Sequence, residues 1–120
     1  MTNNNRRVLE LLGLCRKAGL LKSGEEGCEQ AVKASGKGQV PLILLSSDAS
    51  YRTVKKFQDK CSFDHVPHAV VPFTKEEIGT SLGLSPRSVL AVMEPGLQTL
   101  IQKALQTSLE EVDHIGETQY

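Results

Sequence analysis

Residues 40–45 read Val-Pro-Leu-Ile-Leu-Leu, an unbroken apolar run bounded by Gly38 and by Ser46-Ser47-Asp48. Such a run predicts a central strand covered on both faces. Pro41 is tolerable only near its first residue, because proline cannot donate to a strand ladder. The rest of the chain alternates around this strand. Residues 3–18 carry Val8, Leu11, Leu12, Cys15 and Ala18 at three- and four-residue steps, which predicts a helix with one apolar face, stopped by Gly19. Residues 20–22 are expected to be a very short strand or an extended link. Ser23 and Glu26 have capping-box spacing, so a second helix is expected to start at Ser23, to bury Cys28, Ala31 and Val32, and to end by Gly36 and Gly38.

After the central strand, Asp48 or one of the preceding serines is expected to cap a helix over 49–61. This helix turns Val54, Phe57 and Cys61 inward and Arg52, Lys55 and Lys56 outward. Residues 66–73 predict a strand bracketed by Pro67 and Pro72. Thr74 and Glu77 repeat the capping-box spacing and start a short helix anchored by Ile78 and Leu82. Residues 88–93 predict a strand. Pro95 then opens an amphipathic helix through Leu97, Leu100, Ile101, Ala104 and Leu105. From 109 onward the sequence is acidic and polar without periodicity, and a frayed tail is expected over 109–120. Helix followed by four strand–helix repeats argues for one α/β layered domain, residues 1–108, with helices on both faces of a sheet.

Composition fits this reading. The chain has 120 residues, 39% hydrophobic and 23% charged, with no tryptophan. A domain of this size buries roughly two-thirds of its unfolded surface without staples. Its three cysteines show no CxxC spacing and fall at core-facing positions. Reduced thiols in a cytoplasmic protein are therefore expected. No run approaches the ~18 apolar residues of a membrane span, and none of signal-peptide type follows Arg6-Arg7.

The formal net charge is zero, but it is unevenly distributed. Residues 1–60 hold 11 Lys and Arg against 6 Asp and Glu; residues 61–120 hold 3 against 8. A basic half with an acidic tail is one pattern of a chain whose face meets a polyanion, and chance clustering on solvated helix faces is the other reading.

No catalytic constellation emerges. Gly36-Lys37-Gly38 lacks the spacing of a phosphate-binding P-loop, and no GxGxxG follows a strand. Cys61, His65 and His68 lack an evident fourth metal ligand, and a core cysteine with two loop histidines is the plainer reading. Glu25 and Glu26 point in different directions on a helix, so capping rather than acid–base work is expected. Neither enzyme activity, nor a cofactor, nor a metal is expected. The feature that remains is Gly24 at a helix start, flanked by Lys22, with Lys33 and Lys37 on or beside the same helix. Backbone donors there suit a phosphate, and the lysines supply attraction. A loop over 83–88, carrying Arg87, is expected at the same sheet edge.

Leu-Leu-Gly-Leu-Cys-Arg-Lys-Ala-Gly (11–19), Ser-Gly-Glu-Glu (23–26), Leu-Ile-Leu-Leu-Ser-Ser-Asp-Ala-Ser (42–50), Leu-Gly (82–83) and Pro-Arg-Ser-Val-Leu-Ala-Val (86–92) together resemble the bacterial YlxQ-type proteins. These belong to the superfamily of the archaeal ribosomal protein L-seven-Ae. The resemblance implies a three-layer α/β/α sandwich with a four-stranded mixed sheet. It also implies non-catalytic binding of structured RNA, typically kink-turns; ribosome or ribonucleoprotein components are the partners expected with it, and a monomer is expected although the sequence does not fix oligomeric state. Carried over by position, Gly24 is the glycine that lets RNA approach, Lys22 the basic residue before it, and Arg87, Ser88 and Val89 the second contact loop. Ser23 and Glu26 share the helix mouth, and Lys33 and Lys37 add field. Kink-turn readers carry Asn and Glu where this chain has Glu26 and Gly27, and commonly Lys where it has Gln30. RNA binding stays the expectation, and base-specific kink-turn readout is weakened. The alternative is a protein-interaction module on the same fold, suggested by the glutamate pair and the acidic tail.

Overall fold

Leu42–Leu45 of the apolar run forms an inner strand of the sheet, while Val40 is exposed ahead of it. In a computed structural model that describes the backbone of residues 3–117 and the side chains of 4–106, the chain runs α1 (Asn3–Lys17), β1 (Leu21–Ser23), α2 (Glu25–Lys33) with a 3-10 turn (Ala34–Lys37), β2 (Leu42–Leu45), α3 (Tyr51–Asp64), β3 (His68–Val70), α4 (Lys75–Leu82), β4 (Val89–Val92) and α5 (Pro95–Glu117). The strand order is β1-β4-β2-β3, with β2 and β3 parallel and the other two pairings antiparallel. Every residue of β2 and β4 is buried, as expected of inner strands covered on both faces.

Alternate residues of these strands feed two cores. Leu42, Leu44, Leu90 and Val92 pack with Val8, Leu12 and Cys15 of α1, Ile78 and Leu82 of α4 and Ile101 of α5. Ile43, Leu45, Val89 and Ala91 pack with Cys28, Ala31 and Val32 of α2 and Phe57 and Cys61 of α3. The result is the three-layer α/β/α sandwich with a mixed four-stranded sheet.

Several local expectations need correction. Ser23 does not cap α2. It ends β1, paired with Leu90, and Gly24 is the N-cap, so the capping-box register is lost by one residue. Ser50, not Asp48 or the serines before it, caps α3 by accepting the Thr53 amide. Ala18 is exposed rather than part of the apolar face. Strand β3 is shorter than 66–73, trimmed by the prolines on either side. The backbone of α5 is helical to Glu117, through much of the stretch read as a frayed tail. Side chains from 107 onward, and residues 118–120 entirely, lie outside the described residues.

Cys15, Cys28 and Cys61 are free and fully buried. Burial pushes their thiols up to about 11, 12 and 11 respectively. At pH 8 a thiol reagent should therefore modify none of them until the protein is unfolded. Stability should also fall as pH rises past the unfolded thiol value of 9.0. There the unfolded chain loses protons that the folded chain keeps. Urea melts at pH 8 and pH 10 check this; rapid labelling of the native protein would contradict it.

Candidate functional site

Helices α2, α3 and α4 all begin at one end of the sheet, where the parallel strands β2 and β3 finish. Backbone bonds lace this end together. The Gly24 amide donates to Val89 O at 3.1 Å, Ser46 to Ser88 O at 2.9 Å, Ser47 to Phe73 O at 2.8 Å and Arg87 to Lys75 O at 3.0 Å. The residues before β4 thus stand beside the start of α2, although more than sixty positions separate them in sequence.

The helix starts here are not alike. At α3, Ser50 Oγ accepts the Thr53 amide at 3.2 Å. At α4, Thr74 Oγ1 accepts the Glu77 amide at 3.1 Å and Glu77 Oε1 accepts the Thr74 amide at 2.9 Å, completing a capping box. Asp48 Oδ1 takes the next amide, that of Lys75, at 2.9 Å. That amide bond is the first cause holding the Asp48 carboxyl below its ordinary value. Even α5, at the other end, is capped: Glu94 accepts the Gly96 and Leu97 amides at 3.0 and 2.6 Å. Helix α2 has no side-chain cap. Its first intrahelical bond runs from the Cys28 amide to Gly24 O, which leaves the amides of Glu25, Glu26 and Gly27 as the unsatisfied donors of a helix N-terminus.

Gly24 makes this opening possible. Its φ of 88° and ψ of 157° lie in a region essentially reserved for glycine. A Cβ there would meet nothing within 4 Å, so the space in front of it is open. The two glutamates do not close it equally. Thr53 Oγ1 donates to Glu25 Oε1 at 3.1 Å and draws that carboxylate toward α3. Glu26 stays exposed at the mouth.

The other residues picked from sequence divide by position. Lys22, on the edge strand β1, is exposed beside the opening, and Ser88 is half-buried next to it. Val89 is fully buried, so its side chain belongs to the core and only its backbone reaches the opening. Lys33 closes α2, about 13 Å along the helix from Gly24 at 1.5 Å per residue. Lys33 and Lys37 are exposed, but the fold does not bring them to the mouth. Arg87 is half-buried and turned back on its own loop. Two further residues stand at this end that sequence alone does not assign to it. Lys75 adds an exposed cation, and Gly79 lets the loop before β4 lie against α4. A glycine inside a short helical pattern was the available signal for the second.

The fold and this opening can be set beside known proteins. The model of the ribosomal protein L7Ae/L30e/S12e/Gadd45 family matches residues 6–101. The chain belongs to this family. The match takes in every residue of the site, from Lys22 to Val89. Among its relatives, the RNA-binding protein YlxQ of Bacillus subtilis (strain 168) is 37% identical over 86 residues, 72% of this chain and 82% of that protein. The RNA-binding protein YlxQ of Enterococcus faecium is 31% identical over 93 residues, 78% of this chain and 85% of its own length. A protein of unknown function from Bacillus halodurans C superposes with a TM-score of 0.72 at 38% identity, covering 82% of this chain and 96% of that one. The Giardia lamblia 15.5kD RNA binding protein shares the family fold at a TM-score of 0.66 and 18% identity, over 89% of this chain and 88% of its own.

Proposed function

We propose that this family member is a non-catalytic, RNA-binding, ribosomal-protein-like domain that seats a phosphate of structured RNA on the start of α2. The observation that carries the reading is the contrast between helix starts: α3, α4 and α5 are capped by side chains, and α2 presents bare amides behind a glycine. Bare amides at the positive end of a helix suit an anion. Lys22, two residues before Gly24, and Lys75, at the same end of the sheet, add positive charge, and Thr53 ties the Glu25 carboxylate toward α3. The names of the two bacterial relatives support RNA as the anion.

The domain lies within residues 1–108, with the acidic stretch 109–120 appended to it. It acts as a cytoplasmic monomer on ribosome-associated RNA. No helix among the described residues is long and apolar enough to cross a membrane.

Titration of fluorescent structured RNA at increasing salt tests the proposal. Two or three neutralised phosphates give a log–log slope of about −2. No binding at low salt, or affinity indifferent to salt, contradicts it. A kink-turn should bind no more than about tenfold tighter than a bulged duplex of equal length, because Glu26, Gly27 and Gln30 cannot supply the usual base contacts.

A further inference from the structure

We infer that Arg87 is a positioning residue, whose guanidinium ties the loop before β4 to the end of β1 and so holds the second wall of the ledge, rather than meeting an RNA phosphate itself. The inference rests on the RNA-binding reading and refines one of its residues. Arg87 Nε donates to Ser23 Oγ at 3.1 Å. Its Nη1 donates within the loop to Ser85 O at 3.0 Å, Ser85 Oγ at 2.5 Å and Pro86 O at 3.2 Å. One planar group therefore fastens the loop to itself and to a strand 64 residues away.

The remaining ties of the loop are backbone bonds, to α4 and, through Ser88 O, to the Ser46 amide that follows β2. Leu84 donates to Gly79 O at 2.8 Å, and Arg87 to Lys75 O at 3.0 Å. Nothing else described anchors the loop to β1 through a side chain. Ser23 suits the task because the register sets it beside Leu90, on the sheet face turned toward α4. An ammonium cannot reproduce this arrangement, since the donors of Arg are fixed in a plane and those of Lys are not. A loop that is already ordered loses less conformational freedom when RNA arrives, which is how the tie acts on affinity.

Ser23→Ala, Arg87→Ala and Arg87→Lys separate a tie from a phosphate contact. Amide hydrogen exchange without RNA comes first. All three variants should speed exchange at Leu84 and Arg87 (Lys or Ala in the variants) by about tenfold, and leave Ile43 in β2 unchanged. Unchanged exchange in Ser23→Ala and Arg87→Ala overturns the inference. RNA titrations follow. Ser23→Ala, which removes no charge, and Arg87→Lys, which keeps it, should each weaken binding about 3- to 10-fold with the salt slope of the wild type. Full rescue by lysine, a neutral Ser23→Ala and a slope shallower by about 0.7–0.9 in Arg87→Ala would instead make Arg87 a phosphate ligand. A wild-type protein that binds no RNA removes the functional reading, and the exchange data then decide the tie alone.

Discussion

Gly79→Ala should lower stability by about 3 kcal/mol, or roughly 10 °C in Tm. Two effects oppose each other at this position. Alanine inside a helix is favoured over glycine by about 0.5–1 kcal/mol. Against that, a Cβ on Gly79 would stand 2.5 Å from Ser85 O, 2.7 Å from Ser85 C and 2.9 Å from Leu84 O. All three are backbone atoms, so no side-chain rotation relieves the contact. The loop must move away from α4, and the Leu84-to-Gly79 and Arg87-to-Lys75 bonds move with it. The close approach wins. Thermal melts read the first consequence, and RNA affinity weakened along with stability reads the second. A variant more stable than the wild type would show that the loop does not lie on α4.

Gly24→Ala should weaken RNA binding at least about tenfold while costing about 2 kcal/mol of stability. Here the reason is conformation rather than crowding. A Cβ meets no atom within 4 Å, but the backbone sits at φ 88° and ψ 157°. Either the strain is retained, with a methyl group in the path of the phosphate, or the backbone relaxes and the three amides turn away. Both lower affinity. Gly36→Ala is the control, since that glycine also has open space and is not among those with positive φ. It should leave RNA affinity unchanged and should not lower the melting temperature. Equal affinities for Gly24→Ala and wild type would remove Gly24 from the interface.

The alternation of elements was legible because it rests on local periodicity. The apolar run, the helical spacing of Val8 to Cys15 and the Thr74–Glu77 box each carry their signal within a few residues; the last two match the structure, and the run does over Leu42–Leu45, with Val40 left exposed outside the strand. What sequence could not decide depended on distant partners. Where β1 stops, and hence whether Ser23 or Gly24 caps α2, is set by pairing with β4. Asp48 has the chemistry of a cap for the helix that follows it, but the fold carries it across to Lys75 at the head of α4. Arg87 looks like a free cation in sequence and is engaged by Ser23 and its own loop. Lys33 and Lys37 lie close to Gly24 along the chain, but a helix of nine residues separates them in space.

RNA is proposed to meet this domain at the uncapped opening of α2. Backbone amide shifts in an NMR titration with structured RNA test it residue by residue. The largest changes should fall at Gly24, Glu25, Glu26, Gly27 and Ser88, with little at the far end of α2 around Lys33. Changes centred on the basic residues of α1, such as Arg6 and Arg16, with the α2 amides unmoved, would contradict it.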